Sequence, residues 1–440
     1  MKIEREKLAA ALRVAKLVAE KRGNMPILGC VLLDGGTQSV AATDLETSII
    51  VPLEMKDVIK AEPAPLVPID NDMLEGLSIA QLEQIATDYG ISKPKSKKPT
   101  EKAWIKAIMD ASEKSAAKEA KKAETGNIER YCLPAEQLLK IVSSINDKEV
   151  EIKPSYVVSP EMFSGGNYVS IGNNFRNMAT LPADEFPVIV APEFKKATVE
   201  CSVQGLLSVM KATTDEETGF KLSVVHFDVK RQEMVATDGH RLHVMPATVS
   251  DPSDSSGDEL ESEGFNVGRS FLRAVIKVAK STDKITLELE GGKEGTGILS
   301  KVGDITFIGR NPGTKFPDYP SFVKEGKNKL VVTREAVEVA LSQALVLSNQ
   351  TIRAAKMTFN GAIEIQMINP DCGEYINTSV PVVKGMKGDA IEMGINPQYF
   401  LDAIRTGDKK DEITIGVTAH DAPVSFKHHD FFAVVMPMRF

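Results

Sequence analysis

The sequence predicts an α+β fold of three repeated domains, each made of two halves that run helix then strands, six halves in all. Three observations carry that expectation. The stretch 235–245, VATDGHRLHVM, reads as strand, tight turn, strand, because Asp238 can hydrogen-bond the backbone beyond it and Gly239 accepts a positive φ. Related patterns stand at 41–50 (AATDLETSII) and 366–376 (QMINPDCGEYI, with Asn-Pro-Asp at the turn). The run through a second helix to the strand beyond it also recurs. Leu133 to Val150 spans 17 positions, Val267 to Ile285 spans 18 and Ile395 to Ile413 spans 18, with Leu138, Leu272 and Phe400 at one helical position. Lastly, the hairpin aspartates Asp44, Asp238 and Asp371 lie 194 and 133 positions apart, and the excess of 61 matches a foreign segment in the first copy. The expected domains are 1–193, with an inserted helical module at about 70–125, then 194–325 and 326–440.

In chain order, apolar residues Leu8, Leu12, Ala15 and Val18 predict a helix over 3–22 with one basic face. A buried-strand pattern, NMPILGCVLLDGG, and the first hairpin follow. From about Lys60 to Asn127 the composition shifts to a Pro-rich entry, two amphipathic helices and an Ala/Lys/Glu run. There Leu77, Leu82, Ile85 and Ala86 would face Trp104, Ile105 and Ile108 across a loop holding Lys93, Lys95, Lys97 and Lys98. The segment resembles nucleic-acid-binding modules of the SAP and Rho amino-terminal type; a spacer or protein-docking role stands equally open. The helices LPAEQLLKIVSS, GRSFLRAVIKVAK and NPQYFLDAIRTG each lead into further strands, and an acidic loop, SDPSDSSGDELESEG, interrupts the second domain.

Composition bounds the function. The 440 residues are 42% hydrophobic and 26% charged, ordinary for a globular protein, and a net charge of −8 argues against a wholly basic nucleic-acid binder. No apolar run reaches the roughly 20 residues of a membrane span. The charged start MKIEREKLAA does not read as a secretory signal, so a cytoplasmic, nucleoid-associated location is expected. Cys30, Cys132, Cys201 and Cys372 are far apart without metal-ligand spacing, and no metal or cofactor is expected. Asp238 and His240 could belong to a catalytic triad, but no GxSxG motif accompanies them and no GxxxxGK[ST] phosphate loop exists. Arg269, Arg273, Lys277, Lys280 and Lys284 fall at offsets 0, 4, 8, 11 and 15, one cationic stripe opposite Leu272, Val275, Ile276 and Ala279. Such a stripe suits phosphate contact without base reading; a solvated helix face is the plainer alternative.

NMPILG, ATDLE, TLPADEFP, VATDGHRL, KFPDYP, LSNQ and VVMPMRF, in that order and across the chain apart from the insert, resemble the bacterial sliding clamps, the beta subunits of DNA polymerase III. The resemblance implies a non-catalytic processivity factor with the DNA clamp fold: a head-to-tail homodimer closed around duplex DNA, helices inside the ring and sheets outside. It implies a separate clamp loader ATPase, and polymerase and repair clients that bind through short peptide motifs. Arg22 would touch DNA beside Arg269, Arg273, Lys277 and Lys280. The client pocket would use Leu222, Thr237, Gly239, His240, Arg241 and Leu242 from the second domain, with Pro317 and Phe322. From the third it would use Asn396, Tyr399, Val434, Val435, Met436, Pro437, Met438 and Arg439, although packing is the plainer reading of Val434 and Val435. The dimer would join the strand near Met178 to the helix end at Val346 and Leu347. Ser321, often arginine in the family, and Ile352, often aromatic, depart from its pattern. The alternative reading is a regulatory or DNA-binding subunit of a nucleic-acid enzyme.

Overall fold

The computed structural model describes residues 1–19, 25–58, 60–61, 78–79, 82, 94, 100–108, 127–155, 167–173, 175–187, 197–214, 222–250, 264–280, 283–289, 297–310, 312, 315–347, 354–369, 374–386 and 388–438. Arg22, Lys93, Lys95, Lys97, Lys98, Ile352, Asp371, Arg439 and most of the acidic loop lie outside them. The chain forms two compact units, Met1–Ile189 and Val190–Phe440. The first boundary falls close to the expected 193/194 division. Residues 194–325 and 326–440, expected as two domains, fall within the one second unit.

In the first unit, β1 (Lys2–Glu4) enters α1 (Arg5–Ala15), followed by β2 (Cys30–Asp34), β3 (Ser39–Thr43) and β4 (Thr47–Pro52). Then come β5 (Arg130–Pro134), α2 (Ala135–Ser144), β6 (Glu149–Ser155), β7 (Asn167–Ile171) and β8 (Phe175–Thr180). The strands form antiparallel sets in the order β1-β6-β7-β8 and β5-β2-β3-β4. The first helix is shorter than the expected 3–22, because Ile3 is spent in a strand: it pairs with Val150, and both side chains are buried. The helix then buries Leu8, Ala9, Ala11, Leu12 and Ala15, the expected apolar face with small residues added.

The second unit repeats this plan twice. Its first round is β9 (Ala197–Ser202), α3 (Val203–Met210), β10 (Val224–Asp228), β11 (Glu233–Thr237), β12 (Arg241–Pro246), β13 (Phe265–Gly268), α4 (Arg269–Val278), β14 (Lys284–Leu289), β15 (Gly297–Val302) and β16 (Ile305–Arg310). Its second round is β17 (Asn328–Thr333), α5 (Arg334–Leu345), β18 (Ala355–Phe359), β19 (Ala362–Asn369), β20 (Glu374–Pro381), β21 (Ile391–Ile395), α6 (Pro397–Ile404), β22 (Glu412–Val417), β23 (Val424–His428) and β24 (Phe431–Val435). Pairing of β12 with β24, Arg241↔Val435 through Val244↔Phe432, joins the two rounds into one continuous sheet, β13-β10-β11-β12-β24-β23-β22-β17.

The repeat holds to single residues. The strand before each first helix pairs with the strand after each second helix at Ile3↔Val150, Cys201↔Ile285 and Val332↔Ile413. The strand before each second helix pairs at Val31↔Leu133, Val225↔Val267 and Ala355↔Ile395. Leu138, Leu272 and Phe400 each stand fourth in their helix and are fully buried. Equivalent residues therefore pair in the same way in all three copies, although the spacing is 17 in the first and 18 in the others, since a slip of a single residue within a strand pair would turn each buried side chain to the opposite face.

Two hairpin turns match bond for bond. Asp44 Oδ1 accepts from the amides of Glu46 and Thr47, and Asp238 Oδ1 from those of His240 and Arg241. Thr43 Oγ1 accepts from the Leu45 amide and Thr237 Oγ1 from the Gly239 amide. The residue between needs positive φ, +75° at Leu45 and +87° at Gly239, so the second turn uses the residue that adopts it without strain. The Asn-Pro-Asp turn lies largely outside the described residues.

On either side of the expected module the chain pairs with itself, Lys60 with Ile128 and Ala61 with Asn127. Of the core expected for the module between them, Leu82, Trp104, Ile105 and Ile108 are buried. Residues 101–108 are helical, and Leu77, Ile85 and Ala86 lie outside the described residues.

Candidate functional site

Helix α4 carries the basic face. Phe271, Leu272, Ala274 and Val275 point into the core, while Arg273 and Lys277, four residues apart, are exposed on the far side. The stripe is shorter than its offsets suggested. The helix ends at Val278 with an extended Ala279, because Asp283 Oδ2 accepts the Lys280 amide at 2.8 Å while the Lys280 carbonyl accepts the Asp283 amide at 2.9 Å. Lys280 is thus an exposed residue of that closing turn, and Lys284 opens β14 opposite Ser202. The opposite face is corrected too: Ile276 and Ala279 are only half-buried, and Phe271 and Ala274 take the inward places. Arg269, at the first helical position, is half-buried, and its Nη1 donates to the Thr214 carbonyl at 2.7 Å. It tethers the helix start to the loop after α3, which leaves Arg273, Lys277 and Lys280 as the exposed cations of the helix and its closing turn, with Lys284 exposed beyond them on β14. Arg22 lies outside the described residues.

The second cluster forms where β12 meets β24 and α6. Arg241 is its centre. Its Nε donates to Asp238 Oδ2 at 2.9 Å, its Nη1 to Asp402 Oδ2 at 2.5 Å, and its guanidinium lies 4.3 Å from the Tyr399 ring centroid. His240 stacks on the same ring, 6.4 Å between centroids and 17° between planes. The His240 carbonyl accepts the Met436 amide at 2.9 Å, and the Gly394 carbonyl accepts the Met438 amide at 2.8 Å, so the segment after β24 is laid across the start of α6. Both carboxylates beside Arg241 are largely buried, and together they fix a planar cation against an aromatic face.

The structure sorts the expected pocket residues into surface and support. Gly239, His240, Pro317, Phe322 and Met438 are exposed, and Leu222, Arg241, Tyr399, Met436 and Pro437 are half-buried. Thr237, Leu242, Asn396, Val434 and Val435 are buried. Val434 and Val435 are ladder partners of Leu242 and Arg241, as the packing reading had it. Asn396 caps α6, its Oδ1 accepting the Gln398 amide, with Pro397 preset for the first turn. Thr237 Oγ1 closes its own hairpin on the Arg241 carbonyl. The Leu222 carbonyl accepts the Thr214 amide, on the same loop end that holds Arg269.

Sequence reading passed over four supports. Asp402, on the helix facing Arg241, carried no motif of its own. Phe316 and Tyr319, inside the quoted KFPDYP, are buried with Leu242 and Val434 under the exposed Pro317 and Phe322. The Tyr319 hydroxyl reaches Asp228 Oδ2 at 2.8 Å and Glu233 Oε1 at 2.7 Å, and burial first, then these carboxylates, push its acidity well below that of free tyrosine. His243 lies beneath the β12–β24 joint, with Nδ1 2.8 Å from the Ser208 carbonyl, and burial lowers its pKa to about 3, so it is neutral at neutral pH.

Of the expected dimer residues, Met178 is half-buried on β8, the last strand of its set, and Val346 is 81% exposed at the end of α5. Leu347 packs partly against the core beneath α5 and α6.

With this geometry in hand, the chain compares as follows. Residues 321–439 match the family described as DNA polymerase III beta subunit, C-terminal domain. The chain is 27% identical over 333 residues to the beta sliding clamp of Rickettsia bellii, covering 69% of this chain and 82% of that protein. It is 23% identical over 449 aligned positions to the beta sliding clamp of Pseudomonas aeruginosa, covering 99% of each. Among solved structures, the DNA polymerase III subunit beta from Pseudomonas aeruginosa superposes with a TM-score of 0.68 at 21% identity, covering 100% of this chain and 99% of that one. The sliding clamp from Bacillus subtilis gives 0.70 at 17% identity, covering 100% of this chain and 98% of that one.

Proposed function

The chain belongs to the bacterial sliding clamp family, and from that premise we propose that two copies close head to tail into a ring that holds replication proteins on duplex DNA. It acts as a DNA sliding clamp, a part of the DNA polymerase III machinery. The observation that carries the reading is the repeat itself. Three copies of one unit, matched at Ile3↔Val150, Cys201↔Ile285 and Val332↔Ile413, are half of a six-part closed assembly, and closure by a two-fold axis leaves no free ends. We assign three domains, 1–193, 194–325 and 326–440, to those copies.

In this reading Arg273, Lys277 and Lys280 contact phosphates and read no bases, which is what a protein that must slide requires. Arg22 and Arg269 join them, Arg269 chiefly by anchoring the helix start. The groove around Arg241 and Tyr399 takes short client peptides: His240, Met436, Pro437, Met438 and Phe322 offer adaptable apolar contact, and Met in particular re-packs to fit different anchors. The chain performs no chemistry in this role and is opened by a separate ATPase. Its workplace is the nucleoid in the cytoplasm. The first-domain module at about 70–125 is an addition whose lysines suit nucleic acid or a docking partner.

The dimer is tested by sedimentation equilibrium at micromolar concentration. The expected mass is twice that of the chain, and Val346→Glu with Met178→Glu, placing like charges across the contact, should return it to the mass of one chain. A single-chain mass for the unaltered protein would remove the ring.

A further inference from the structure

We propose that Asp411, His428 and His429 form a binding site for a divalent transition-metal ion of the zinc type, a site separate from the clamp function. One ligand atom from each of the three lies within 4.8 Å of the other two. The two imidazole Nε2 atoms converge on a single carboxylate oxygen: Asp411 Oδ2 is 3.1 Å from His428 Nε2 and 3.7 Å from His429 Nε2. The second distance is too long for a hydrogen bond. The rings lie 4.3 Å apart, centroid to centroid, so two imidazolium ions here would repel each other. A cation between the three donors would meet two imidazole nitrogens and one carboxylate oxygen.

Each donor is positioned by its surroundings. Asp411 is held from both ends, its carbonyl accepting the Arg334 amide at 2.9 Å and its Oδ2 accepting the Asp408 amide at 2.6 Å. That amide keeps the carboxyl below the usual carboxylate range, so it is ionised at neutral pH. His428 is buried, and burial lowers its pKa. Its Nδ1 is 3.2 Å from Thr406 Oγ1, the kind of outer hydrogen bond that fixes which nitrogen a metal-binding histidine presents. Gly407, at φ +69°, makes room for the ring: a Cβ there would lie 2.1 Å from His428 Cε1. His429 adopts φ +48°, an uncommon backbone for histidine that turns it back toward Asp411 in the β23–β24 turn. Arg334, one of several cations nearby with Lys410 and Lys427, donates to the carbonyls of Thr406 and Gly407 and is opposed by Glu338 at 3.5 Å.

The donor set selects the ion. Two imidazoles and one carboxylate suit zinc, cobalt or nickel rather than magnesium or calcium, which prefer oxygen ligands. Three protein ligands, one of them on an exposed histidine, leave coordination positions for water. Bound metal would staple the β23–β24 turn to the loop between α6 and β22, and so raise the stability of this part of the chain by mass action. Sequence spacing conceals the group, since Asp411 and His428 are 17 positions apart.

The test uses the full chain, stripped with a chelator and titrated with cobalt(II), whose visible ligand-field absorption reports nitrogen and oxygen coordination, followed by displacement with zinc. One cobalt per chain is expected, with affinity reduced at least roughly tenfold in His429→Ala and in Asp411→Asn, and by about 10-fold or more in Thr406→Val, where only the outer bond is lost. His420→Ala, a histidine outside the cluster, should bind as the unaltered protein does. His429 is exposed, so its variant keeps the fold, which circular dichroism checks. Equal cobalt affinity in His429→Ala, Asp411→Asn and the unaltered chain, or no uptake by the unaltered chain at saturating cobalt, would overturn the site.

Discussion

Arg241 shows how much one side chain can organise. It joins the Asp238 turn to Asp402 on α6 and lies on Tyr399, so it locks the floor of the proposed peptide groove before any peptide arrives. Arg241→Ala would leave two largely buried carboxylates without their cation, a loss of about 3 kcal/mol by analogy with other broken buried pairs. Asp402→Asn alone should cost less, and the double variant Arg241→Ala/Asp402→Asn should be no less stable than Arg241→Ala, as read from urea unfolding midpoints. Additive losses in that cycle would mean the two groups do not act as a pair. The sequence displayed Arg241 inside VATDGHRL but gave no sign of Asp402, because a contact across 161 positions leaves no local pattern. Likewise Thr237 and Asn396 were expected only as pocket residues, and nothing local showed that their oxygens engage the turn and the helix cap that they build.

At the scale of elements, periodicity was a good guide to what is buried and a poor guide to where an element stops. The 17- and 18-residue spacings located Leu138, Leu272 and Phe400 at the fourth position of three helices. The same reasoning ran α4 too far, because offsets alone do not register that Asp283 captures the Lys280 amide and ends the helix. It also ran α1 through Ile3, whose apolar side chain serves a strand equally well. The corrected α4 predicts a division of labour. Arg273→Glu with Lys277→Glu should weaken DNA retention and lower the slope of log affinity against log salt by about 2, at roughly 0.9 per phosphate contact, with folding unchanged. Arg269→Ala should instead lower the unfolding midpoint, because it removes the bond to Thr214. An unaltered salt slope in the double reversal would place DNA contact on other elements. For the module at about 70–125, the pairing of Lys60 with Ile128 and Ala61 with Asn127 brings its flanks together. Deleting residues 70–125 should therefore leave a soluble, cooperatively unfolding protein; an insoluble product would make the segment part of the first domain's core.

At the scale of the molecule, the repeat was legible because each copy must solve the same packing problem with the same few buried positions. Its ends were less so. The module's loop lysines Lys93, Lys95, Lys97 and Lys98, the third hairpin turn and the last residues, Arg439 and Phe440, lie outside the described residues. Their roles in nucleic-acid or client binding rest on sequence and on the family. The proposed client groove was legible as a set of motifs but not as a surface, since only the folded β12–β24 ladder separates exposed His240, Phe322 and Met438 from buried Val434 and Val435. The central claim is topological, that the protein holds DNA by surrounding it. It is tested most directly by loading the protein with the proposed ATPase loader onto nicked circular DNA, removing free protein by gel filtration in high salt, and then cutting the circle with a restriction enzyme. The account predicts that protein stays with the circle in salt that abolishes phosphate contacts and is released once the DNA has ends. Equal retention on circular and linear DNA, or loss from both in high salt, would contradict it.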